Sequence, residues 1–127
     1  MPSSGSVGVA GTFTPGNAAG HTITGSTVNF NGSGAQNVPS FQYNNLTLSS
    51  GGTKTFQTGA DSVLGTLTVA GGITLADGGV SINTFGAVAN SGTHSGAGAI
   101  IFRGTLSQSL TGSGTFQNVT VNNSAGV

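Results

Sequence analysis

Apolar residues along this chain come in short runs that alternate with Thr, Ser and Asn. The alternation covers Thr22–Thr24, Thr27–Phe30, Asn45–Leu48, Lys54–Gln57, Val63–Val69, Ile73–Leu75, Val80–Ile82, Ala99–Phe102 and Phe116–Val121. A two-residue period puts every second side chain on one face, which is the pattern of a half-buried strand. Glycine clusters separate the runs, at Gly32–Gly34, Gly51–Gly52, Gly71–Gly72, Gly78–Gly79, Gly96–Gly98 and Gly112–Gly114. Glycine supplies the positive-φ geometry of tight turns. No stretch keeps an apolar residue at i, i+3, i+4 and i+7, and glycine recurs too often for helix interiors. The pattern predicts an all-β fold.

The strand pattern also repeats over a long distance. Residues Val28–Ser49 read VNFNGSGAQNVPSFQYNNLTLS, and Ile101–Asn122 read IFRGTLSQSLTGSGTFQNVTVN. Phe30 matches Phe102, Gly32 matches Gly104 and Gln36 matches Gln108, each at an offset of 72 residues. After a one-residue insertion Tyr43 matches Phe116, Asn45 matches Asn118 and Leu48 matches Val121, at an offset of 73. Units that repeat in this way bury their apolar face by stacking on the next unit.

This favours a β-solenoid, with three or four coils of roughly 18–24 residues in each repeat. At about 4.8 Å per stacked coil the rod would be roughly 25–35 Å long. The competing architecture is an antiparallel β-sandwich, because TLTVAGGITL at Thr66–Leu75 also reads as a hairpin with a Gly-Gly turn. The chain is read as one β-repeat module over residues 1–127, with repeat 1 at about 9–81 and a partial repeat 2 at about 82–127.

Composition sharpens this picture. Charged residues are 3% of the chain, against roughly 25% in an ordinary domain. They are Lys54, Arg103, Asp61 and Asp77, and the net charge is zero. A neutral chain has no electrostatic grip on phosphates, so nucleic acid is not an expected partner. Near-zero net charge favours self-association. Hydrophobic residues still reach 35% and alternate, which argues for order. There is no Cys, hence no disulfide framework and no thiolate metal site. The opening MPSSGSVGVAG has neither the basic region nor the apolar core of a signal peptide. No apolar run approaches the roughly 20 residues of a membrane span, so membrane insertion is not expected.

The segments Asn29–Pro39 (NFNGSGAQNVP), Tyr43–Phe56 (YNNLTLSSGGTKTF), Leu64–Gly79 (LGTLTVAGGITLADGG) and Phe116–Val127 (FQNVTVNNSAGV) resemble a known class of repeats. These are the Gly/Thr/Asn-rich β-repeats of very large secreted and cell-surface, adhesin-like proteins of Bacteroidetes-type bacteria, many of them exported by the type IX route. GTFTPG at Gly11–Gly16 belongs to the same pattern, so the resemblance covers nearly all of the chain from about Gly11. It implies an extended β-rich surface module without catalysis of its own, secreted or held at the cell surface. Asp61-Ser62-Val63 also resembles the O-glycosylation pattern of such exports.

Few residues carry chemistry. Asp61 and Asp77 meet the minimum carboxylate count of a glycosidase. Both sit in Gly-rich turn sequences, where Asp is ordinarily found, so no enzyme activity is expected. His21 and His94 lie 73 residues apart and read as equivalent, solvated loop residues. With no Cys and two histidines, neither a metal nor a cofactor is expected. The Thr pairs Thr12/Thr14, Thr22/Thr24, Thr53/Thr55 and Thr66/Thr68 form a candidate binding face for ice or glycan, since alternate strand residues share a face. Their plainer reading is that Thr is a good polar strand former. Asn45 with Asn118, and Phe30 with Phe102, are candidate stacked ladders, while Phe56 and Phe116 read as core.

The function expected from all of this is structural. The chain would be a non-catalytic module that associates head-to-tail into an extracellular filament or adhesin-like stalk. An ice- or carbohydrate-binding module is the alternative.

Overall fold

Alternation with glycine punctuation produces short strands, and the computed structural model has fifteen of them among its described residues. It describes residues 5–16, 23–59 and 61–127. The strands are β1 (Gly5–Val9), β2 (Ser26–Phe30), β3 (Gln36–Val38), β4 (Gln42–Tyr43), β5 (Asn45–Leu48), β6 (Thr53–Phe56), β7 (Asp61–Val63) and β8 (Leu67–Val69). They continue with β9 (Thr74–Ala76), β10 (Ser81–Thr84), β11 (Val88–Asn90), β12 (Thr93–Ser95), β13 (Ala99–Phe102), β14 (Leu110–Thr111) and β15 (Val119–Val121). Every pairing between them is parallel. The fold is a β-solenoid of about five turns, with no helix among the described residues.

Four successive turns, β2–β4, β5–β7, β8–β10 and β11–β13, each contribute one strand to each of three sheets. The first sheet runs β1-β2-β5-β8-β11-β14, the second β3-β6-β9-β12, and the third β4-β7-β10-β13-β15. The hairpin reading of Thr66–Leu75 fails on this topology. β8 and β9 lie in different sheets, and each pairs in parallel with the turns above and below. Ala70–Gly72 turns a corner instead, with Gly72 at φ 78°. Corners also divide two runs that read as single strands. Val63–Val69 breaks between β7 and β8, and in Phe116–Val121 only Val119–Val121 is strand. Thr22 lies outside the described residues, and Ile23 sits in a turn closed by Ser26 N–H donating to Ile23 O at 2.9 Å.

The core is a set of vertical columns. In the first sheet Val28, Leu46, Leu67, Val88 and Leu110 are in register, and beside them Phe30, Leu48 and Val69. In the third sheet Tyr43, Val63, Thr84, Phe102 and Val121 form another. Each such apolar side chain, when fully buried, contributes about 1.5–3 kcal/mol. At the N-terminal end Phe13 packs edge-on against Phe30 and Phe41, with ring centres 6.0 and 6.1 Å apart. The C-terminal end differs. Two of these columns finish there in Leu110 and Val121, and the neighbouring column of Ile82 and Ile100 finishes in Val119; the three are 41%, 57% and 40% exposed.

The repeat runs obliquely through this stack. Phe30 ends β2 in the first sheet and Phe102 ends β13 in the third. β13 is eleven strand steps on from β2, which at three per turn is three and two-thirds turns. One repeat therefore maps each face onto a different face. Phe30 and Phe102 do not stack in one column, and neither do Asn45 in the first sheet and Asn118 just before β15 in the third.

Candidate functional site

Inside the solenoid, polar residues occupy positions that alternation assigns to the core. Gln36, Lys54, Leu75 and His94 are in register on the inner side of the second sheet. Gln36 sits at a corner and bonds in three directions. Its Oε1 accepts Gly32 N–H of its own turn at 2.9 Å. Its Nε2 donates to Val9 O (2.8 Å) and Gly11 O (2.9 Å) of the preceding turn. From the following turn Lys54 Nζ reaches Gln36 Oε1 at 2.7 Å. Lys54 also donates to Gly32 O at 2.7 Å and Gly34 O at 2.9 Å. Burial pushes the Lys54 ammonium below its usual range. Three oxygens oppose that cost by taking all of its donors.

The second copy of the motif builds the same corner on another face. Gln108 Oε1 accepts Gly104 N–H at 2.7 Å, and Gln108 Nε2 donates to Thr84 O (2.9 Å) and Gly86 O (2.8 Å). Where the first corner has Lys54, this one has Asn123, whose Nδ2 donates to Leu106 O (2.9 Å) and Gln108 Oε1 (2.8 Å). Glycine is required four residues before each Gln. A Cβ on Gly32 would lie 2.8 Å from Gln36 Cδ, and one on Gly104 would lie 2.8 Å from Gln108 Oε1.

The acidic and imidazole groups are enclosed too. His94 was expected as a solvated loop residue and is instead buried, 2% exposed, as is Asp77 beside it. Asp77 does sit in its Gly-rich turn. Its Oδ1 accepts Gly79 N–H (2.7 Å) and Gly98 N–H (3.0 Å), while its Oδ2 lies 3.0 Å from His94 Nε2. His94 Nδ1 is buried without a hydrogen-bond partner. His21 lies outside the described residues, so its match to His94 has no structural counterpart here. Asp61 begins β7 with its side chain inward, and neither carboxyl oxygen has a partner in hydrogen-bond geometry. Burial pushes its carboxyl up to about 6, opposed by the backbone N–H of Phe41. Burial, and then the charge of Asp61, hold the Tyr43 phenol far above its ordinary range; the Tyr43 hydroxyl donates to Pro39 O at 2.7 Å.

These groups were legible in one respect. Lys54 has the same parity as Phe56 in Thr-Lys-Thr-Phe, and Asp61 the same parity as Val63. Strict alternation therefore places both inside. Among the described residues no three His, Cys, Asp or Glu gather where a metal could bind.

The Thr pairs are dispersed. Thr12 and Thr14 are exposed and lie beyond β1, outside any strand, and Thr24 is exposed in a turn. Thr53 and Thr55 point outward from the second sheet, and Thr66 and Thr68 from the first. The structure does not bring the four pairs to one face. It forms a different column outside the second sheet, in which Thr53, Thr74, Thr93 and Thr115 are successive neighbours. Asn45 accepts Thr66 N–H on Oδ1 at 2.9 Å, and Asn118 Nδ2 donates to Gly98 O at 2.9 Å, so each bridges adjacent turns at its own corner. Two shallow grooves lie outside. One of about 320 Å³ includes Thr12, Gln36, Asn37 and Thr55, and one of about 660 Å³ includes Ser81, Gln117, Asn118 and Thr120. Neither is lined by Asp61, Asp77 or His94.

In comparisons with known proteins, the chain matches no family model, no curated protein and no solved structure.

Proposed function

We propose that this chain is a non-catalytic structural module of a secreted or cell-surface protein, which associates head-to-tail into an extended filament or stalk. One observation carries the reading. Columns that are buried through the stack emerge at Leu110, Val119 and Val121 on its last turn. A further parallel turn laid on that end would bury them and pair the open edges of β14 and β15. The inward placement of the charges agrees with a structural role. Lys54, Asp61 and Asp77 are enclosed, and Arg103 is the exposed charge. The likeness of the sequence to repeats of large adhesin-like surface proteins supports the extracellular setting. Negative-stain electron microscopy over a concentration series tests the reading. It predicts uniform fibres that lengthen with concentration, whereas discrete particles of one size at every concentration would reject self-assembly.

A binding role has one observation of its own, the outward column Thr53–Thr74–Thr93–Thr115 at the spacing of successive turns. A repeating row of hydroxyls and methyls suits ice or a glycan chain. Thermal hysteresis or glycan binding that disappears in Thr74→Tyr, Thr93→Tyr would support that reading, and neither activity in the parent chain would remove it.

A further inference from the structure

We propose that the ridge Leu64–Phe85–Arg103, on the flank of the rod, binds a strand of acidic polysaccharide lying along the rod axis. The site is independent of both ends of the stack and of self-association.

Register builds the ridge. In the third sheet the hydrogen bonding carries on one residue past the inward column of Tyr43, Val63 and Thr84. Leu64 N–H donates to Tyr43 O, Phe85 N–H to Val63 O and Arg103 N–H to Thr84 O, each at 2.9 Å. Leu64, Phe85 and Arg103 are therefore successive neighbours, one per turn, with about 4.8 Å between turns. The residues before them, Val63, Thr84 and Phe102, are buried, so alternation turns these three outward. Leu64 is 39% and Phe85 41% exposed in the middle of the stack. Among the described residues, the other exposed large apolar side chains all lie at Leu106 or later.

Three features of the ridge select its partner. Leu64 and Phe85 offer an apolar platform two turns long, which suits the C–H face of a sugar ring. Polar groups run beside it. Ser62 and Asn83 are in register on the outer side of the third sheet, two residues before Leu64 and Phe85. Asn83 Nδ2 donates to Asp61 O, while Asn83 Oδ1 and the Ser62 hydroxyl have no partner among the described residues and can meet sugar hydroxyls.

Arg103 sets the charge. It is exposed, and it makes no ion pair among the described residues. The two side-chain carboxylates of the chain, Asp61 and Asp77, are enclosed, and there is no Glu. A second copy packed against this flank therefore brings Arg103 no side-chain carboxylate. A uronate brings one, in the planar form that a guanidinium fork accepts with two bonds. One cation is too few for nucleic acid, whose affinity rests on many phosphate contacts. It is also too few for an anionic bilayer, which is held by clusters of cations.

The probe is an alginate-derived uronate oligomer, with its carboxyl-reduced, neutral form as control, and amide NMR shifts of the chain follow each titration. Saturable shifts at Leu64, Phe85 and Arg103 are expected with the uronate, and at least tenfold weaker binding of the neutral form. Arg103→Gln is expected to lower uronate affinity at least tenfold and to leave the neutral form unchanged, whereas Phe85→Ser weakens both. Both positions are exposed, and circular dichroism checks that each variant folds like its parent. Thr74→Tyr, Thr93→Tyr, on the second sheet, is expected to change neither affinity. No saturable shift with the uronate overturns the proposal. So do shifts centred on the Thr column, or an Arg103→Gln chain that binds the uronate as its parent does. Ridge shifts with phosphatidylglycerol vesicles but none with the uronate would assign the ridge to a membrane surface and reject the polysaccharide.

Discussion

Lys54 and Gln36 meet across two successive turns, with Nζ 2.7 Å from Oε1, and the ammonium completes its bonding on two backbone carbonyls instead of a carboxylate. The pair is a latch between turns. Gln36 reads the turn below through Val9 O and Gly11 O, and Lys54 secures it from the turn above. Gln108 and Asn123 repeat the latch at another corner with a neutral donor. The corner thus needs a donor from the next turn and does not need its charge.

Removing the latch is predicted to be costly. Gln36→Leu takes the acceptor from Gly32 N–H, one of three acceptors from Lys54, and the donor that Gln36 Nε2 offers to Val9 O and Gly11 O. Unsatisfied buried groups cost roughly 1–3 kcal/mol each, so a loss of about 2–4 kcal/mol is expected after partial relaxation. Urea unfolding checks this. A loss under about 0.5 kcal/mol, the range of an ordinary surface change, would contradict the latch.

Asp61 makes stability depend on pH. Its carboxyl sits at about 6 in the fold against an ordinary 3.8. The folded form holds its proton more tightly, so the unfolded chain releases it first as pH rises. Stability is greatest below about pH 4, falls between about 4 and 6, and is lowest above that window. The difference is on the order of 2–3 kcal/mol, at 1.36 kcal/mol per pKa unit. Asp61→Asn is expected to flatten this part of the profile and raise the neutral-pH melting temperature. A variant as pH-sensitive as its parent over that window would assign the dependence elsewhere.

Asp77 joins its own turn to the next through Gly79, Gly98 and His94. Asp77→Ala removes three partners at once and is predicted to cost about 3–5 kcal/mol, as loss of one member of a buried polar pair does. Asp77→Asn keeps an acceptor for the two glycine N–H groups and should lose less than half as much. Denaturation of both variants checks the ordering, and equal losses would show that the backbone bonds contribute little.

Much of the fold could be read from residues alone. Alternation, glycine punctuation and the repeat of Phe30–Gln36 at Phe102–Gln108 lead to a solenoid. The face relationship could not be read, because an offset of 72 residues fixes sequence distance and corner lengths fix how many faces it spans. That is why Phe30 and Phe102 fall in different sheets. The polar interior was hidden for another reason. Lys54 and Asp61 are residues whose type argues for solvent and whose parity argues for the core, while His94 has no apolar neighbour in sequence to set its parity. For Lys54 parity prevailed because adjacent turns supply its bonding groups, and His94 is drawn inside by its register with Leu75 and the Asp77 carboxylate. For Asp61 the strand position prevailed with the Phe41 backbone N–H as its one opposing influence, and its raised carboxyl pKa records the cost of burial.

The central claim is that copies of the chain associate through the turn that exposes Leu110, Val119 and Val121. Sedimentation velocity of the parent chain beside Leu110→Asp, Val121→Asp, over a hundredfold range of concentration, tests it most directly. Both positions are partly exposed, so the variant is expected to fold like its parent by circular dichroism. The account predicts a sedimentation coefficient that climbs with concentration for the parent and stays at the monomer value for the variant. A parent that remains monomeric throughout, or a variant that associates as strongly as the parent, would contradict it.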